Sequence, residues 1–245
     1  MGKKFGDIRW KWLDEKGFNV LKDHHQYAYM QSLWSSTDIV QGVFCNSDAG
    51  TGKTTLAVLA GVYEVEKGTY DKLIYIRNTV AVRDQGFLPG DKNDKDEPYM
   101  QPLIDAMDCV QPGLYENWSC SEEKSQKKVH TLSSSYTRGI NFKNAYVIID
   151  EAQNFDLHEL QTILTRVDEN CKVVTVGSTK QIDNTKLKYY GGLTPFEVYM
   201  EHFRGHRVTY HKLETNYRGE FSKIADNVLD TVKTLTKSTD NVVSF

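Results

Sequence analysis

Lys53 and Thr54 follow Gly52 at the end of the stretch CNSDAGTGKTT, Cys45 to Thr55. A lysine and a hydroxyl closing a glycine-rich turn suit a nucleotide's phosphates and the magnesium ion they carry, in the pattern G-x-x-x-x-G-K-[ST]. Backbone N–H groups from Ala49 to Thr54 would surround the phosphates, backed by the positive end of the helix that follows. Lys53 reaches the β and γ phosphates in this reading, and the Thr54 hydroxyl holds Mg²⁺. Gly50 and Gly52 allow close backbone approach. The candidate nucleotide contacts are therefore Asp48, Ala49, Gly50, Thr51, Gly52, Lys53, Thr54 and Thr55. One position departs from the pattern: Ser47 stands where the first glycine is expected. That glycine only shapes the entry to the loop. The competing reading is an accidental glycine turn, which rarely falls between a strand and a helix.

A second constellation is VIIDEAQN, an apolar run ending in two carboxylates. Asp150 is placed to hold Mg²⁺ through water. Glu151 is placed to orient and deprotonate the attacking water, and Gln153 to sense the γ-phosphate. Alone, an Asp-Glu pair reads better as a strand end capping a helix; beside Lys53 the catalytic reading prevails. VVTVGSTKQID repeats the arrangement of strand and polar loop, and brings Gln181 toward the γ-phosphate. Its plain alternative is a strand followed by a turn.

These groups need elements that bring them to one edge. DIVQGVF, KLIYIR, KKVHTLS, AYVIID, KVVTVG and HRVTYHKL read as strands. TTLAVLAGVYEV, EPYMQPLIDAMDCV, DLHELQTILTRV and FSKIADNVLDTVKTL read as helices, with Asp156 a cap for the third. AYVIID is apolar throughout, as in a strand buried on both faces. Strand alternating with helix predicts an α/β fold with a parallel sheet covered on both sides. Residues 1–23, with Trp10 and Trp12, read as an N-terminal arm or cap, 24–237 as the main domain and 238–245 as a polar tail.

The 245 residues suit one large domain. A net charge of −3 gives no global basic field, so any nucleic-acid surface must be local. Cys45, Cys109, Cys120 and Cys171 form no C-x-x-C pair, which argues against a structural metal site. Met1-Gly2 lacks the Ser or Thr at position 6 that myristoylation requires. No run is apolar and long enough for a membrane span, and the expectation is a cytoplasmic protein.

Together these residues resemble the PhoH family of ATPases, relatives of the single-chain helicases with a D-E-x-Q motif. The resemblance runs from about Gln26 to about Leu193. It is carried most specifically by GFLPGDKNDKDEPYMQPLIDAM, and further by YTRG at 136–139, DEAQN at 150–154 and LTR at 164–166. It implies a P-loop NTPase with a RecA-like parallel sheet sandwiched by helices, ATP and Mg²⁺ as cofactors, and action on RNA or single-stranded DNA. Gln26 matches the glutamine that reads adenine in related helicases. LETNYRGEF is similar to a superfamily 1 segment whose arginine contacts the γ-phosphate, which makes Arg218 a candidate; pairing with Glu214 or Glu220 is the structural alternative. Two departures stand out: Ser47-Asp48 replaces Gly-Pro, and Ser178 replaces the aspartate of G-D-x-x-Q.

Arg77, Arg83, Lys92 and Arg138, with Tyr99 and Tyr136, form a possible nucleic-acid strip or an ordinary solvated surface. An ATP-driven switch that remodels a protein partner is the alternative function. A small-molecule kinase is disfavoured, because Asp150-Glu151 followed by Gln suits water activation. The chain has residues for one RecA-like domain. Either a neighbouring copy completes the site, in a homo-oligomer that the resemblance makes a hexameric ring, or the chain does not unwind; Arg218 acts in cis in the segment it resembles, and Arg166 and Arg138 are the candidates in trans.

Overall fold

The computed structural model describes residues 6–78, 92–120, 127–133, 137, 139–228, 230–232 and 234–235, with residues 6–8 and 92–99 described by backbone alone. Arg83, Tyr136, Arg138, the side chains of Lys92 and Tyr99, residues 86–91 of the long motif and the tail lie outside that description.

Six strands form one sheet: β1 (Gly42–Asn46), β2 (Lys72–Arg77), β3 (Val129–Ser133), β4 (Ala145–Asp150), β5 (Lys172–Gly177) and β6 (Val208–His211). Their order is β3-β2-β4-β5-β1-β6, and every pairing is parallel. This is the α/β fold expected. β4 and β5 are buried at every residue. Their side chains alternate between two cores, as a strand's period of two requires. Tyr146, Ile148, Val174 and Val176 join one core; Val147, Ile149 and Val173 join the other.

The first core is covered by α1 (Gly6–Glu15), α2 (His24–Leu33), α3 (Lys53–Glu66) and α4 (Lys92–Asp108), followed by the short α5 (Leu114–Ser119). α3 lies so close to the sheet that a Cβ on Gly61 would come within 2.7 Å of Leu73 Cδ1. The second is covered by α6 (Leu157–Leu164) and α7 (Pro195–His202). Asp156 and Thr194 each close a capping box, with Glu159 and Glu197 as partners, so both helices start where their sequences place the cap.

The strand expected at 38–44 runs instead over Gly42–Asn46, because pairing with β5 and β6 begins only at Gly42. The last helix, expected at 221–235, is the shorter α8 (Glu220–Asp226), with a turn at Asn227 before further helical residues. Within the expected arm or cap, Leu13 and Val20 are buried in the first core. Arg9 pairs with Glu64 of α3 at 2.8 Å.

One polar knot ties α2 to the sheet. Lys172, fully buried, donates to the carbonyls of Ser32, Ser35 and Val40 at 2.7, 3.1 and 2.6 Å. Burial draws its pKa down to about 7. Beside it, His211 Nε2 lies 2.9 Å from Ser32 Oγ, and burial lowers the imidazole to about 4. The free side chain titrates near 6.5, so the unfolded chain takes up this proton first as pH falls. The His211 contribution to stability is therefore full above about 6.5 and is lost as pH falls toward 4. Urea denaturation at a series of pH values across that window is expected to show a smaller loss of stability in His211→Asn than in the parent chain.

Candidate functional site

Parallel register sets the strand ends level. Asn46 pairs with Gly177, and Arg77 pairs with both Ser133 and Asp150. The loops after β1, β4 and β5 therefore leave one edge of the sheet, where α/β folds bind ligands.

After β1 the chain makes a tight loop into α3. Gly50 and Gly52 take positive φ, 74° and 83°, and Gly52 is the N-cap of α3. A Cβ on Gly50 would meet Asn216 Oδ1 at 2.7 Å, so that position excludes a side chain on space as well as on conformation. Lys53 opens the helix, with its Nζ 3.4 Å from Asp48 O, folded back over the loop. Thr51 Oγ1 donates to the same carbonyl at 3.0 Å. Ser47 has a function that glycine lacks: its buried Oγ accepts from Leu213 N at 2.7 Å and lies 3.2 Å from Cys45 Sγ. The hydroxyl binds the entry of the loop to the segment leaving β6.

Asp150 ends β4 with almost no exposure. Thr54 Oγ1 donates to its Oδ1 at 2.9 Å, across 96 residues of sequence. Tyr75, on the neighbouring strand, donates its phenol to Oδ2. Burial first, and the Asp150 charge next, hold that phenol well above its ordinary pKa, so it remains a donor. A threonine hydroxyl and a carboxylate side by side are hard oxygen ligands, the type a magnesium ion prefers.

Glu151 takes φ 53°, a left-handed conformation that non-glycine residues avoid. Its carboxylate accepts from Gln153 Nε2 at 2.6 Å and lies 3.6 Å from Arg77. Gln153 is fully buried. Its amide also donates to Gln181 O at 2.9 Å and accepts from Ser178 N at 2.9 Å. One glutamine thus couples the residue after β4 to the loop after β5. Ser178, in the place of an expected aspartate, keeps a buried hydroxyl with no partner among the described residues. The Gln181 side chain donates to Asp226 of α8 at 2.7 Å, and Lys180 pairs with Asp48 at 2.7 Å.

The segment after β6 closes over the loop. Asn216 Nδ2 donates to Ala49 O at 3.1 Å, and Tyr217 N donates to Gly50 O at 2.8 Å. Arg218 forms no ion pair with Glu214 or Glu220 and lies against Gly50, a Cβ on which would come within 3.1 Å of its Cγ. Gln26, buried in α2, donates to Thr51 O at 3.1 Å. Asp23 caps α2, accepting from the N–H groups of His25 and Gln26, and also accepts from the Tyr217 hydroxyl at 2.9 Å. Burial tends to raise the Asp23 pKa, but these bonds and one from the Thr215 side chain outweigh it and lower the value.

A cleft of about 720 Å³ is lined by the glycine loop and Lys53 together with Phe18, Gln26, Asp150, Glu151, Tyr217 and Arg218. A second cleft, about 730 Å³, continues past Glu151, Gln181 and Arg218 toward Arg77, Lys180 and Asp226. Gln26, Lys53, Thr54, Asp150, Glu151, Gln181 and Arg218 line the first cleft, with Gln153 bonded behind Glu151; Arg166, whose carbonyl accepts from Phe142 N, does not. Tyr75, Asn216 and Tyr217 join them unannounced, since only strand register and the return of the chain after β6 bring them there.

The PhoH-like protein family model matches residues 20–230. Protein PhoH2 of Bacillus subtilis is 38% identical over 66% of this chain and 36% of its own length. A PhoH-like protein of the same organism is 36% identical over 70% of this chain and 52% of its own. Protein PhoH2 of Thermobispora bispora is 33% identical over 77% and 42%. The chain thus spans between about a third and a half of the length of these relatives. Among solved structures, the Sulfolobus solfataricus SWI2/SNF2 ATPase core in complex with dsDNA aligns with a TM-score of 0.41 at 12% identity, over 78% of this chain and 44% of that one. With a strand, a glycine loop and a helix opening on Lys53, and a match over most of its length, this chain is a P-loop protein of the PhoH family.

Proposed function

We propose that the chain is an Mg²⁺-dependent ATP hydrolase that acts with RNA or single-stranded DNA. The observation that carries this reading is the bond between Thr54 and Asp150, with Lys53 one residue away. It supports a magnesium site that Thr54 would hold directly and Asp150 through water; the ion would supply charge neutralisation at the β and γ phosphates. Backbone N–H groups of the loop and Lys53 hold the phosphates in line. Glu151, steadied by Gln153, takes the proton of a water as its oxygen attacks the γ-phosphorus. The bond to the β-γ bridging oxygen breaks, leaving ADP and phosphate. Arg218 offers a positive charge to the γ-phosphate from the same chain, and Gln153, bonded at once to Glu151, Ser178 N and Gln181 O, couples Glu151 to the loop after β5; the Gln181 side chain, expected at the γ-phosphate, bonds Asp226 instead. The base lies toward Phe18 and Tyr217, whose rings suit a purine, with Gln26 beside it.

The nucleic-acid partner is supported by family resemblance and by Arg77 and Lys180 along the second cleft. The resemblance also supports a ring of six copies, in which a neighbour's arginine completes the far side of the γ-phosphate. A switch that remodels a protein is favoured by one observation: α8, bonded to Gln181, buries none of its residues. ATP turnover with and without single-stranded RNA, at two salt concentrations, separates the two, since phosphate contacts weaken steeply with salt.

Lys53→Ala is expected to abolish turnover and weaken ATP binding; wild-type kcat in that variant removes the loop from the site. Glu151→Gln should retain ATP binding and slow turnover by about 10²-fold or more, the scale for losing a general base. Binding and turnover that fall together would assign Glu151 a structural role. Tyr75→Phe should raise the Mg²⁺ concentration needed for half-maximal turnover by about 10-fold, as loss of an outer hydrogen bond does elsewhere. GTP and CTP should compete more weakly than ATP; equal competition would place Gln26 away from the base.

A further inference from the structure

Gln181 stands at the meeting of two clefts. It lines the one that holds Lys53, Thr54 and Glu151, and also the one that continues toward Arg77 and Asp226. Its backbone and its side chain are held by different elements. The carbonyl accepts from Gln153 Nε2, the same amide that donates to Glu151. The exposed side-chain amide donates to Asp226 Oδ1 of α8 at 2.7 Å. Next to it, Lys180 Nζ lies 2.7 Å from Asp48 of the phosphate loop and donates to Asn227 Oδ1 at 3.4 Å. The C-terminal end of α8 thus holds two successive residues of the loop after β5.

Helix stability does not account for Asp226. It is the last residue of α8, where the carbonyl end of a helix favours a cation and disfavours a carboxylate. Its place is explained by the amide it receives. The hold is light, because α8 buries none of its residues. One solvent-exposed contact to a charge shifts an equilibrium by about fivefold at most. A γ-phosphate in the first cleft would offer the same amide a more highly charged acceptor, in a place lined by Lys53 and Arg218. Asp226 lines the second cleft and Lys53 the first, so the amide serves one acceptor at a time.

We infer that Asp226 is a positioning residue that holds the Gln181 amide away from the nucleotide, and that a bound γ-phosphate takes the amide from it. The inference rests on the ATP site proposed above for its ligand. Binding a triphosphate then carries a cost that ADP, which lacks the γ-phosphate, does not meet. Once the amide has moved, α8 keeps the longer bond from Lys180 and loses the shorter one. The end of the helix is loosened only while a triphosphate occupies the cleft, so α8 reports which nucleotide is bound.

Equilibrium binding of ADP and of a non-hydrolysable ATP analogue, each with Mg²⁺, tests this in the full chain, using Asp226→Ala, Gln181→Ala and the double variant. Gln181 is exposed and Asp226 only partly buried, so circular dichroism should report an unchanged fold. Asp226→Ala is expected to bind the analogue about fivefold more tightly, the most that one exposed contact supplies, and to bind ADP as the parent does. The double variant should bind the analogue no more tightly than Gln181→Ala, because the gain passes through the amide. Unchanged or weaker analogue binding in Asp226→Ala, an equal change for both nucleotides, or a gain that persists without Gln181 overturns the assignment of Asp226 alone. A parent chain that binds neither nucleotide overturns the ATP site and this inference together.

Discussion

The hydrogen bond from Thr54 to Asp150 is the constraint on which the site depends. It joins the first turn of α3 to the end of β4, two elements that share no strand pairing, because β5 lies between β1 and β4. Only a parallel sheet with its strand ends level brings a threonine after one strand within reach of an aspartate ending another. The fully buried β4 and β5 supply that rigidity, and α3, pressed onto the sheet at Gly61, fixes the height of the loop. The phenol of Tyr75 then leaves the aspartate no freedom to turn.

Around this bond, two segments, α2 and the chain after β6, hold the phosphate loop from outside. Gln26 reaches it from α2, Ser47 fastens its entry to the chain after β6, and Asn216 and Tyr217 bond its carbonyls. Asp23 connects the two by accepting from both α2 and Tyr217. A change in the loop is therefore felt in α2 and in the segment leading to α8, without any hinge in the sheet.

Much of this was legible in the residues. KLIYIR, AYVIID and KVVTVG became strands over those very bounds, since continuous apolar runs bounded by polar residues leave little choice. Asp156 was readable as a cap because its partner, Glu159, follows at the right spacing. α7 carried the same kind of signal in Thr194, Pro195 and Glu197. α2 gave little: HHQYAYMQSL has no marked apolar stripe and is held by Lys172 from a strand 140 residues away. The loop and its acidic partners announced themselves through glycine spacing and adjacent carboxylates. Tyr75 could not, nor could the partners of Ser47 and Asn216, because these are chosen by strand register and chain return. Gln153 and Gln181 were picked out by their motifs, but not where their side chains bond: one amide is wholly spent inside the protein, and the other faces α8.

The backbone at Glu151 has a consequence for how this protein would evolve. A non-glycine residue at φ 53° sits in a sparsely populated region, at a cost of about 1 kcal/mol or more. Glycine would adopt that turn without strain. Selection for thermal tolerance alone would thus drift away from the carboxylate. The bonds of the Glu151 carboxylate to Gln153 and Arg77 offset part of that strain, and a chain that did not need the carboxylate would be expected to lose Glu151 before it lost the surrounding core.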